Sequence, residues 1–359
     1  MPKVSILVPA YKMEKYLPQC LDSIINQSLK DIEIIVIDEG DFDECRTIID
    51  SYKLKDSRIK AINEKNGGYG IALNKGIKQA SGEYIGIVEA DDFIDKQMFE
   101  DLYNLAKKHD AELCKSDFYY YTTQDNVSRK AGKIPARYAN KPITAKDNPN
   151  ILKLQPSIWS SIYKRDFLIN NDIKFLETSG GSFQDTSFFF KTYAKSKKTI
   201  LTTNAYYHYR TDNDLSSVKS TGKIHAIRDE YKEITDFLNN NPEIKSFANT
   251  RKLINQYNAY IWNLKRINPD FYDEFINEFS REFEAFYNTN EITKDFFKKV
   301  NKKHFETLLN NKKEFKNIIL KLTEENDNKQ KRRKSFSVRI NSSRIDIVLF
   351  GKQILAINL

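Results

Sequence analysis

Three carboxylates follow one short apolar stretch of the sequence. Glu89, Asp91 and Asp92 come directly after the apolar run Tyr84–Val88. Side chains of like charge at this spacing repel one another unless a cation lies among them. Carboxylate oxygens suit Mg²⁺ and Mn²⁺, which keep coordination positions open for phosphate oxygens. Acidic residues also favour helix starts, and Asp92 could be the N-cap of a helix beginning near Asp95. The motif predicts a metal site or a helix start.

A second acidic group follows another apolar stretch. Asp38, Glu39 and Asp41 come after Ile32–Ile37, a mostly β-branched run that is typical of a strand buried on both faces. A carboxylate at such a strand end can accept hydrogen bonds from a base or a ribose while other acids hold a metal. The alternative is a plain acidic turn. Because parallel strands end at the same edge of a sheet, we expect both acidic groups at one edge.

Alternating strand and helix patterns over the first 120 residues predict the sheet that would bring these groups together. The predicted strands are Val4–Val8, Ile32–Ile37, Arg58–Ile62 and Tyr84–Val88. Apolar residues at helical spacing predict helices between them. Repeated strand–helix units favour right-handed crossovers, with ligands at the carboxyl ends of the strands. The predicted fold class is therefore α/β, with a Rossmann-like, mostly parallel sheet.

The remainder of the chain changes character twice. Residues 122–150 are polar, basic and interrupted by three prolines, which predicts a long loop of the kind that binds substrate. Further on, apolar residues at helical spacing predict an all-helical region. Apolar residues then alternate after residue 335, which predicts a short β-ribbon. The predicted domains are 1–222, 223–328 and 329–359.

Composition and charge restrict the environment and the partners. No stretch approaches the roughly 18 apolar residues that a membrane span needs, and Val4–Val8 is too short for the apolar core of a signal peptide. The three cysteines lack metal-ligand spacing and fit a reducing compartment, so we expect a cytoplasmic protein. The net charge is +9, and Lys329–Lys334 contains five cations. This run predicts either peripheral contact with anionic lipid of the inner membrane or a solvated linker. Nucleic acid is excluded as a partner because the cations are confined to this tail, without a base-stacking module.

Six short motifs occur in order along the first ninety-two residues. They are Val4–Tyr11, Leu21–Gln27, Ile35–Gly40, Asn66–Gly76, Ser81–Ile85 and Glu89–Asp92. In this order and spacing they resemble the family-2 glycosyltransferases over about residues 3–215. The resemblance implies a GT-A fold for the catalytic domain, followed here by the helical region and the β-ribbon tail.

The same resemblance implies a donor site and a metal. The residues that it places around the nucleotide are Pro9, Ala10, Tyr11, Asp38, Asn66, Gly67 and Asp91. It identifies Glu89 and Asp91 as the acidic motif that binds Mn²⁺ or Mg²⁺, with Glu89 where the family usually has aspartate. His208 resembles a third metal ligand, although a lone histidine in an aromatic strand can equally be a core residue. Arg210 could neutralise the diphosphate or pair with a surface acid.

A later segment resembles the one that contains the catalytic base of the family. In Ser182–Phe189 the usual glutamate is replaced by Gln184, and Asp185 remains as the predicted base. An acceptor hydroxyl must lose its proton while it attacks the anomeric carbon, which is the task of such a base. The alternative is that Asp185 is the N-cap of the following helix. We expect Gln184 and Trp159 to contact the acceptor.

The predicted function is inverting, metal-dependent transfer of a sugar from a nucleotide diphosphate, expected to be a UDP-sugar, to a hydroxyl of a glycan or lipid-linked acceptor. The resemblance implies capsule or lipooligosaccharide synthesis in a bacterium, and the helical region could form a homodimer. Leu73 replaces a usual arginine and Lys12 a usual asparagine, which leaves the donor open. Two alternatives are a sugar nucleotidyltransferase, which would need a glycine-rich basic loop after the first strand, and an inactive nucleotide-sugar-binding protein.

Overall fold

The computed structural model describes residues 1–40, 44–63, 67–178, 182–214, 224–341, 344–349 and 352–358, with side chains up to residue 325. The strands of the main sheet are β1 (Val4–Ala10), β2 (Ile32–Asp38), β3 (Ile59–Asn63), β4 (Tyr84–Ile87), β5 (Phe93–Ile94), β6 (Leu113–Thr122), β7 (Val127–Lys130), β8 (Pro142–Ile143), β9 (Ser161–Lys164) and β10 (Thr199–Arg210). The helices of the same part are α1 (Leu17–Ile25), α2 (Glu44–Lys55), α3 (Tyr69–Gln79), α4 (Met98–His109), α5 (Arg165–Asn170), α6 (Asp185–Lys195) and α7 (Ala226–Asn239).

The main sheet is mostly parallel, which confirms the predicted fold class. Its strand order is β3-β2-β1-β4-β9-β6-β10-β5, with β7 beside β6 and β8 beside β10. β1 is parallel to β2 and β4, β2 is parallel to β3, and β10 is parallel to β6. β9 is antiparallel to both β4 and β6. The crossovers are therefore concentrated in the first half, as the strand–helix alternation predicts.

Continuous burial explains why the central strands read as unbroken apolar runs. Every residue of β1, β2 and β4 is buried, because helices and loops cover both faces of the sheet. β1 lies between β2 and β4, and its last residue Ala10 pairs with Asp38 at the end of β2. The residues that follow these three strands are therefore brought to one edge, where Asp38 and Glu39 lie with Glu89, Asp91 and Asp92, whereas Asp41 lies outside the described residues.

The prediction of a long loop over residues 122–150 was wrong. This segment contains β7 and β8, which pair with β6 and β10, and two short 3₁₀ turns at Ala136–Tyr138 and Pro149–Lys153. Its prolines begin short elements instead of interrupting a loop: Pro142 is the first residue of β8, and Pro149 is the first residue of its turn. Proline is well tolerated at such first positions because its missing N–H group would have no partner there.

A buried glutamate ties the starts of the central strands together. Glu33 on β2 is 3% exposed and accepts hydrogen bonds from Ser5 Oγ (2.5 Å) and from Ser81 N (2.6 Å). Lys60 Nζ lies 2.7 Å from its other carboxylate oxygen. Burial alone would raise the pKa of Glu33, but these hydrogen bonds outweigh it and lower the pKa to about 2. The ionised side chain is therefore stabilised by the fold.

We expect Glu33→Gln to destabilise the protein in a pH-dependent way. Because the pKa is depressed in the folded state, the contribution of Glu33 is complete above its unfolded pKa of about 4.5 and is lost as pH falls towards 2. The shift corresponds to about 2–3 kcal/mol at neutral pH, with allowance for the exposed Lys60 partner. Urea unfolding between pH 3 and pH 7 measures it. Glu284→Gln, at an exposed site on the helix Tyr272–Asn288, is the control. A stability difference between the wild type and Glu33→Gln that stays constant over this range would contradict the prediction.

The helical region that was predicted after residue 222 is present. It consists of α7, α8 (Pro242–Leu264), α9 (Tyr272–Asn288), α10 (Lys294–Phe297), α11 (Lys302–Asn310) and α12 (Lys312–Ser335). Internal contacts divide the chain within α8, into units 1–256 and 257–359. α7 therefore packs with the main sheet and its helices, whereas the predicted boundary between residues 222 and 223 stays a prediction.

Aromatic packing forms the core of the second unit. Phe275, Phe279 and Phe283 are fully buried on α9, as their four-residue spacing predicts. Tyr260 packs against Phe279 with 5.1 Å between ring centroids. Phe271 has the same spacing but is 39% exposed, because it ends a 3₁₀ turn before α9 begins.

The predicted β-ribbon is an antiparallel sheet of three described strands. They are β11 (Phe336–Asn341), β12 (Arg344–Leu349) and β13 (Lys352–Asn358). The basic run Lys329–Lys334 forms the last turns of α12, and its side chains lie outside the described part. In the described residues, no helix has both the length and the hydropathy needed to cross a membrane.

Candidate functional site

The acidic motif after β4 places its three carboxylates in two different environments. Glu89 and Asp91 are partly exposed, whereas Asp92 is 1% exposed. Asp92 accepts hydrogen bonds from Tyr207 Oη and from Arg210 N, both at 2.7 Å. The predicted role of Asp92 as a helix N-cap was wrong, since α4 begins at Met98 with Gln97 as its N-cap. Asp92 instead fixes the motif to β10, whereas Glu89 and Asp91 stay partly exposed.

Glu89 and Asp91 each share one carboxylate oxygen with a neutral donor. Tyr69 Oη donates to Glu89 Oε1 at 2.5 Å, and Asn213 Nδ2 donates to Asp91 Oδ2 at 2.7 Å. Burial raises the pKa of Glu89 to about 8, and the charges of Asp91 and Asp185 contribute. Burial also raises the pKa of Asp91. Glu89 therefore lies close enough to Asp91 and Asp185 for their negative charges to oppose its ionisation, and a bound cation would offset this repulsion.

His208 is engaged by residues other than these acids. Its Nε2 lies 3.0 Å from Asp95 Oδ1, and its Nδ1 lies 2.7 Å from Ser128 Oγ. The ring is stacked between Phe93 and Tyr119, with centroid distances of 4.4 and 4.9 Å. These contacts agree with the alternative of a core histidine, and the predicted role of His208 as a metal ligand stays a prediction. Across the described parts of the chain, no group of three or more His, Cys, Asp or Glu side chains is arranged to hold a metal ion.

Arg210 is an internal support and contacts neither a surface acid nor the open part of the site. It is 2% exposed, and its Nε donates to the carbonyl oxygen of Asp91 at 2.6 Å. Its other guanidinium nitrogens donate to Thr123 Oγ1 and Gln19 Oε1. The guanidinium also lies 4.6 Å from the ring centroid of Tyr16. Arg210 therefore holds the backbone of the acidic motif in place. Because it is buried, it does not pair with a surface acid, and neutralisation of the diphosphate stays a prediction.

Asp185 begins α6 and is partly exposed. The N-cap of this helix is Gln184, so the alternative that Asp185 itself is the N-cap was wrong. Burial raises the pKa of Asp185 to about 6, against the opposing effects of Thr186, backbone N–H groups and the charge of Lys115. A carboxylate with this pKa is suited to accept a proton near neutral pH.

Gln184 is buried, and its contacts position its neighbour. Its Oε1 accepts from Gly70 N at 2.8 Å, while its Nε2 donates to Thr178 Oγ1 at 2.6 Å and to Thr178 O at 3.0 Å. It is 1% exposed, and its predicted contact with the acceptor stays a prediction. A side chain at position 70 would collide with the carbonyl oxygen of Leu176, which explains why this close junction contains glycine.

The residues predicted around the nucleotide fall into two groups. Pro9 and Ala10 are the last residues of β1, and Tyr11, which follows the strand, is 39% exposed. Asp38 is fully buried: its carboxylate accepts from Arg46 Nε at 2.6 Å and from Gly40 N at 3.1 Å. Asp38 is therefore already engaged by the protein, and its predicted contact with a base stays a prediction.

The glycine-rich turn is held by an acid that the sequence analysis did not assign. Glu39 Oε1 accepts from Gly68 N at 3.1 Å, and Gly67 also donates to this side chain. Gly67 thus lies next to the end of β2, whereas Asn66 lies outside the described residues. The roles of Asn66 and Gly67 in nucleotide binding stay predictions.

Trp159 is packed in an aromatic cluster. It is 7% exposed, lies 4.2 Å from the ring centroid of Tyr207 and 5.4 Å from that of Tyr209, and contacts Phe118 edge-on. Little of its ring surface is left for stacking on a sugar. Its predicted contact with the acceptor stays a prediction.

Lys115 is a buried cation that the sequence pattern did not reveal. It is 2% exposed, and its Nζ donates to Ser157 O (2.5 Å), Ser157 Oγ (2.7 Å) and Ser160 Oγ (2.7 Å). Burial lowers its pKa to about 7, although the negative charges of Asp117 and Asp185 act in the opposite direction. Lys115 lies in β6 directly before the polar residues Ser116 and Asp117, so the sequence pattern held no clear signal of its burial.

Comparison with known proteins gives a family and several relatives. Residues 5–169 match the family model described as glycosyl transferase family 2. The uncharacterized glycosyltransferase EpsJ of Bacillus subtilis is 30% identical over 60% of this chain and 64% of its own length. The cholesterol galactosyltransferase of Borreliella burgdorferi is 30% identical over 57% of this chain and 59% of its own length. The chain thus spans less than two thirds of either relative.

A solved structure extends the likeness over nearly the whole chain. Residues 1–349 of TarS from S. aureus, crystallised with UDP-GlcNAc, cover 97% of this chain and 97% of that structure, with a TM-score of 0.66 and 20% sequence identity. At this identity the likeness concerns the fold alone. It confirms the predicted GT-A-like fold followed by helices.

Proposed function

Because residues 5–169 match the family model of glycosyl transferase family 2, we propose that the chain belongs to this family and transfers a sugar from a nucleotide diphosphate to an acceptor hydroxyl with inversion. One observation carries the proposal. Two partly exposed carboxylates, Glu89 and Asp91, lie at the carboxyl end of a parallel strand, and Asp185 is close enough to raise the pKa of Glu89. This arrangement offers a place for a diphosphate beside a base.

Glu89 and Asp91 fit a divalent cation that is shared with the donor. Each uses one oxygen for a hydrogen bond from a neutral side chain, Tyr69 or Asn213, and this leaves its other oxygen available as a ligand. One or two carboxylates together with substrate phosphates are a usual ligand set for Mg²⁺, and Mn²⁺ accepts the same oxygen ligands. When bound, the cation would neutralise the negative charge that develops on the leaving diphosphate.

Asp185 is the proposed base for the acceptor hydroxyl. The buried amide of Gln184 connects it to the start of α3, which carries Tyr69 and so the hydrogen bond to Glu89. The base is therefore held at a fixed position relative to the acidic motif. A single displacement with a base and no covalent intermediate inverts the configuration at the anomeric carbon, and this outcome agrees with the family resemblance.

The donor and the acceptor are proposed from relatives and from the chain together. The related fold of TarS was crystallised with UDP-GlcNAc, which supports a UDP-sugar as donor. The relative from B. burgdorferi is a cholesterol galactosyltransferase by name, so its acceptor is a lipid, and this supports a glycan or lipid-linked acceptor here. We propose a place in bacterial surface-polysaccharide synthesis, either of capsule or of lipooligosaccharide.

We also propose that the enzyme works on the cytoplasmic side of the inner membrane. The run of five cations in Lys329–Lys334 would bind anionic lipid, and each cation near the surface would contribute about 1 kcal/mol to the binding free energy. Co-sedimentation with anionic vesicles measures this contact. Homodimer formation stays a prediction, which analytical ultracentrifugation can test.

Screening nucleotide sugars is the experiment that tests the proposed function. We expect a UDP-sugar with Mn²⁺ to raise the melting temperature most and to be hydrolysed slowly to UDP without an acceptor. UDP-sugar without metal, and the same sugars on GDP, are the controls. A ligand at 100 times its Kd adds about 2.7 kcal/mol of stability, which is a readily measured shift.

The other possible results of the screen would point to a different function or exclude the proposed one. Turnover that requires a nucleoside triphosphate and a sugar phosphate would identify a nucleotidyltransferase. Metal-dependent binding without hydrolysis or transfer would identify an inactive binding protein. If no nucleoside diphosphate or nucleotide sugar shifts the melting temperature, the proposed function is excluded.

A further inference from the structure

Helix α7 carries a buried glutamate that contacts the helix beginning with Asp185. Glu230 is 1% exposed, and its Oε2 accepts a hydrogen bond from Ser187 N at 2.8 Å. Ser187 is the third residue of α6, and the N–H groups of a first helical turn have no acceptor within their own helix. The N-cap Gln184 makes no side-chain capping bond. Glu230 on the neighbouring helix therefore accepts the hydrogen bond of a backbone N–H group that an N-cap side chain usually accepts.

Further contacts hold α7 against α6. Lys191, which is 5% exposed, lies with its Nζ 2.7 Å from Glu233 Oε1 and donates to the carbonyl oxygen of Lys174 at 2.7 Å. Burial raises the pKa of Tyr231, and the charge of Asp185 contributes, so this side chain lies within the electrostatic influence of the base. α7 is thus fixed to the first and second turns of α6.

The burial of Glu230 is energetically costly. Burial raises its pKa to about 7, and the nearby charge of Asp185 raises it as well. A leucine would fill a similar volume without the cost of taking a carboxyl group out of water. Packing alone therefore does not account for a glutamate at this position, whereas the hydrogen bond to α6 does.

The base lies between two anchors. Gln184 precedes Asp185 and is fixed to Gly70 and Thr178, while Ser187 follows it by two residues and is fixed to Glu230. Loss of either anchor frees the backbone on one side of the base. A displacement of about 1 Å from a productive geometry can cost about 10²-fold in rate.

We propose that Glu230 is a positioning residue, which fixes the first turn of α6 and thereby holds the carboxylate of Asp185 against the donor site. The inference rests on the proposed function and extends its machinery beyond residues 5–169, into α7.

Glu230→Leu and Glu230→Gln test the proposal as a pair. Leucine removes the acceptor for Ser187 N, and we expect kcat to fall about 10- to 100-fold while the KM for the nucleotide sugar changes less than about two-fold. Glutamine keeps an amide oxygen for Ser187 N, so we expect it to restore kcat to within about three-fold of the wild type. Amide hydrogen exchange over residues 185–188, measured without substrates, is expected to be faster in the leucine variant alone.

Glu233→Leu is the matched control, because it lies three residues further along α7 and contacts Lys191 instead of the first turn of α6. A kcat loss in Glu233→Leu equal to that in Glu230→Leu would overturn the proposal, as would a parallel rise in donor KM or unchanged exchange at residues 185–188. If the wild type transfers no sugar, the proposed function fails, and the exchange data alone still decide whether Glu230 holds α6.

Discussion

Asp185→Asn is expected to lower kcat for transfer by about 10²–10⁴-fold and to leave donor affinity nearly unchanged. Asparagine matches the shape of aspartate but cannot take the proton of the acceptor hydroxyl, and general bases contribute rate factors of this size. Donor binding should persist because Glu89 and Asp91 are untouched. Steady-state kinetics and calorimetric titration with the nucleotide sugar measure the two effects separately.

The pH dependence of the wild type follows from the same side chain. The pKa of Asp185 is raised to about 6, so the base is protonated and inactive below this pH and becomes active as pH rises through it. This acidic limb should be absent from the residual activity of Asp185→Asn. Asp166→Asn is the control, because Asp166 also lies in the first turn of a helix but is 74% exposed. Full transfer by the Asp185 variant would remove this residue as the base.

Asp91→Ala is expected to abolish both transfer and metal-dependent donor binding. Asp91 provides an outward carboxylate oxygen beside Glu89, and loss of one anionic ligand weakens a cation that must also neutralise a diphosphate. We expect at least a roughly 10³-fold lower kcat/KM, which corresponds to about 4 kcal/mol. Titration of the nucleotide sugar with and without Mn²⁺ measures the binding effect.

Asp147→Ala provides a matched control for this result. Asp147 is exposed and accepts a hydrogen bond from Thr144 Oγ1 at 2.7 Å, without contact to the residues that hold the acidic motif. It should keep its activity and its response to Mn²⁺. If Asp91→Ala still binds the donor more tightly with Mn²⁺ than without it, the cation does not bind at this motif.

The parts of the site that were predictable are those set by short-range rules. Burial on both faces makes the central strands recognisable, and parallel strands deliver their following residues to one edge, so Glu89 and Asp91 could be placed from local pattern alone. The distinction between Glu89 and Asp91 on one side and the buried Asp92 on the other was not predictable. It depends on Tyr207 and Arg210, more than one hundred residues away in sequence.

His208, Gln184 and Trp159 share one physical feature that the sequence did not reveal. All three are residue types that bind ligands. Their polar atoms or ring faces are nevertheless occupied by other parts of the protein, such as Asp95 and Ser128 for His208. The sequence shows which groups are capable of a contact, but only the packing shows which of them remain available.

The acidic motif is held in place by residues that lie far outside the matched family segment. Tyr207 and Arg210 on β10, and Asn213 just after it, all hold the motif, although the segment ends at residue 169. A fragment cut at that point would contain every acid of the motif and lack the groups that fix them. The smallest piece of this chain that keeps the acidic motif in place therefore has to run at least through β10 and Asn213. An exchange of the motif between relatives would have to include both the motif and the stretch from β10 to Asn213.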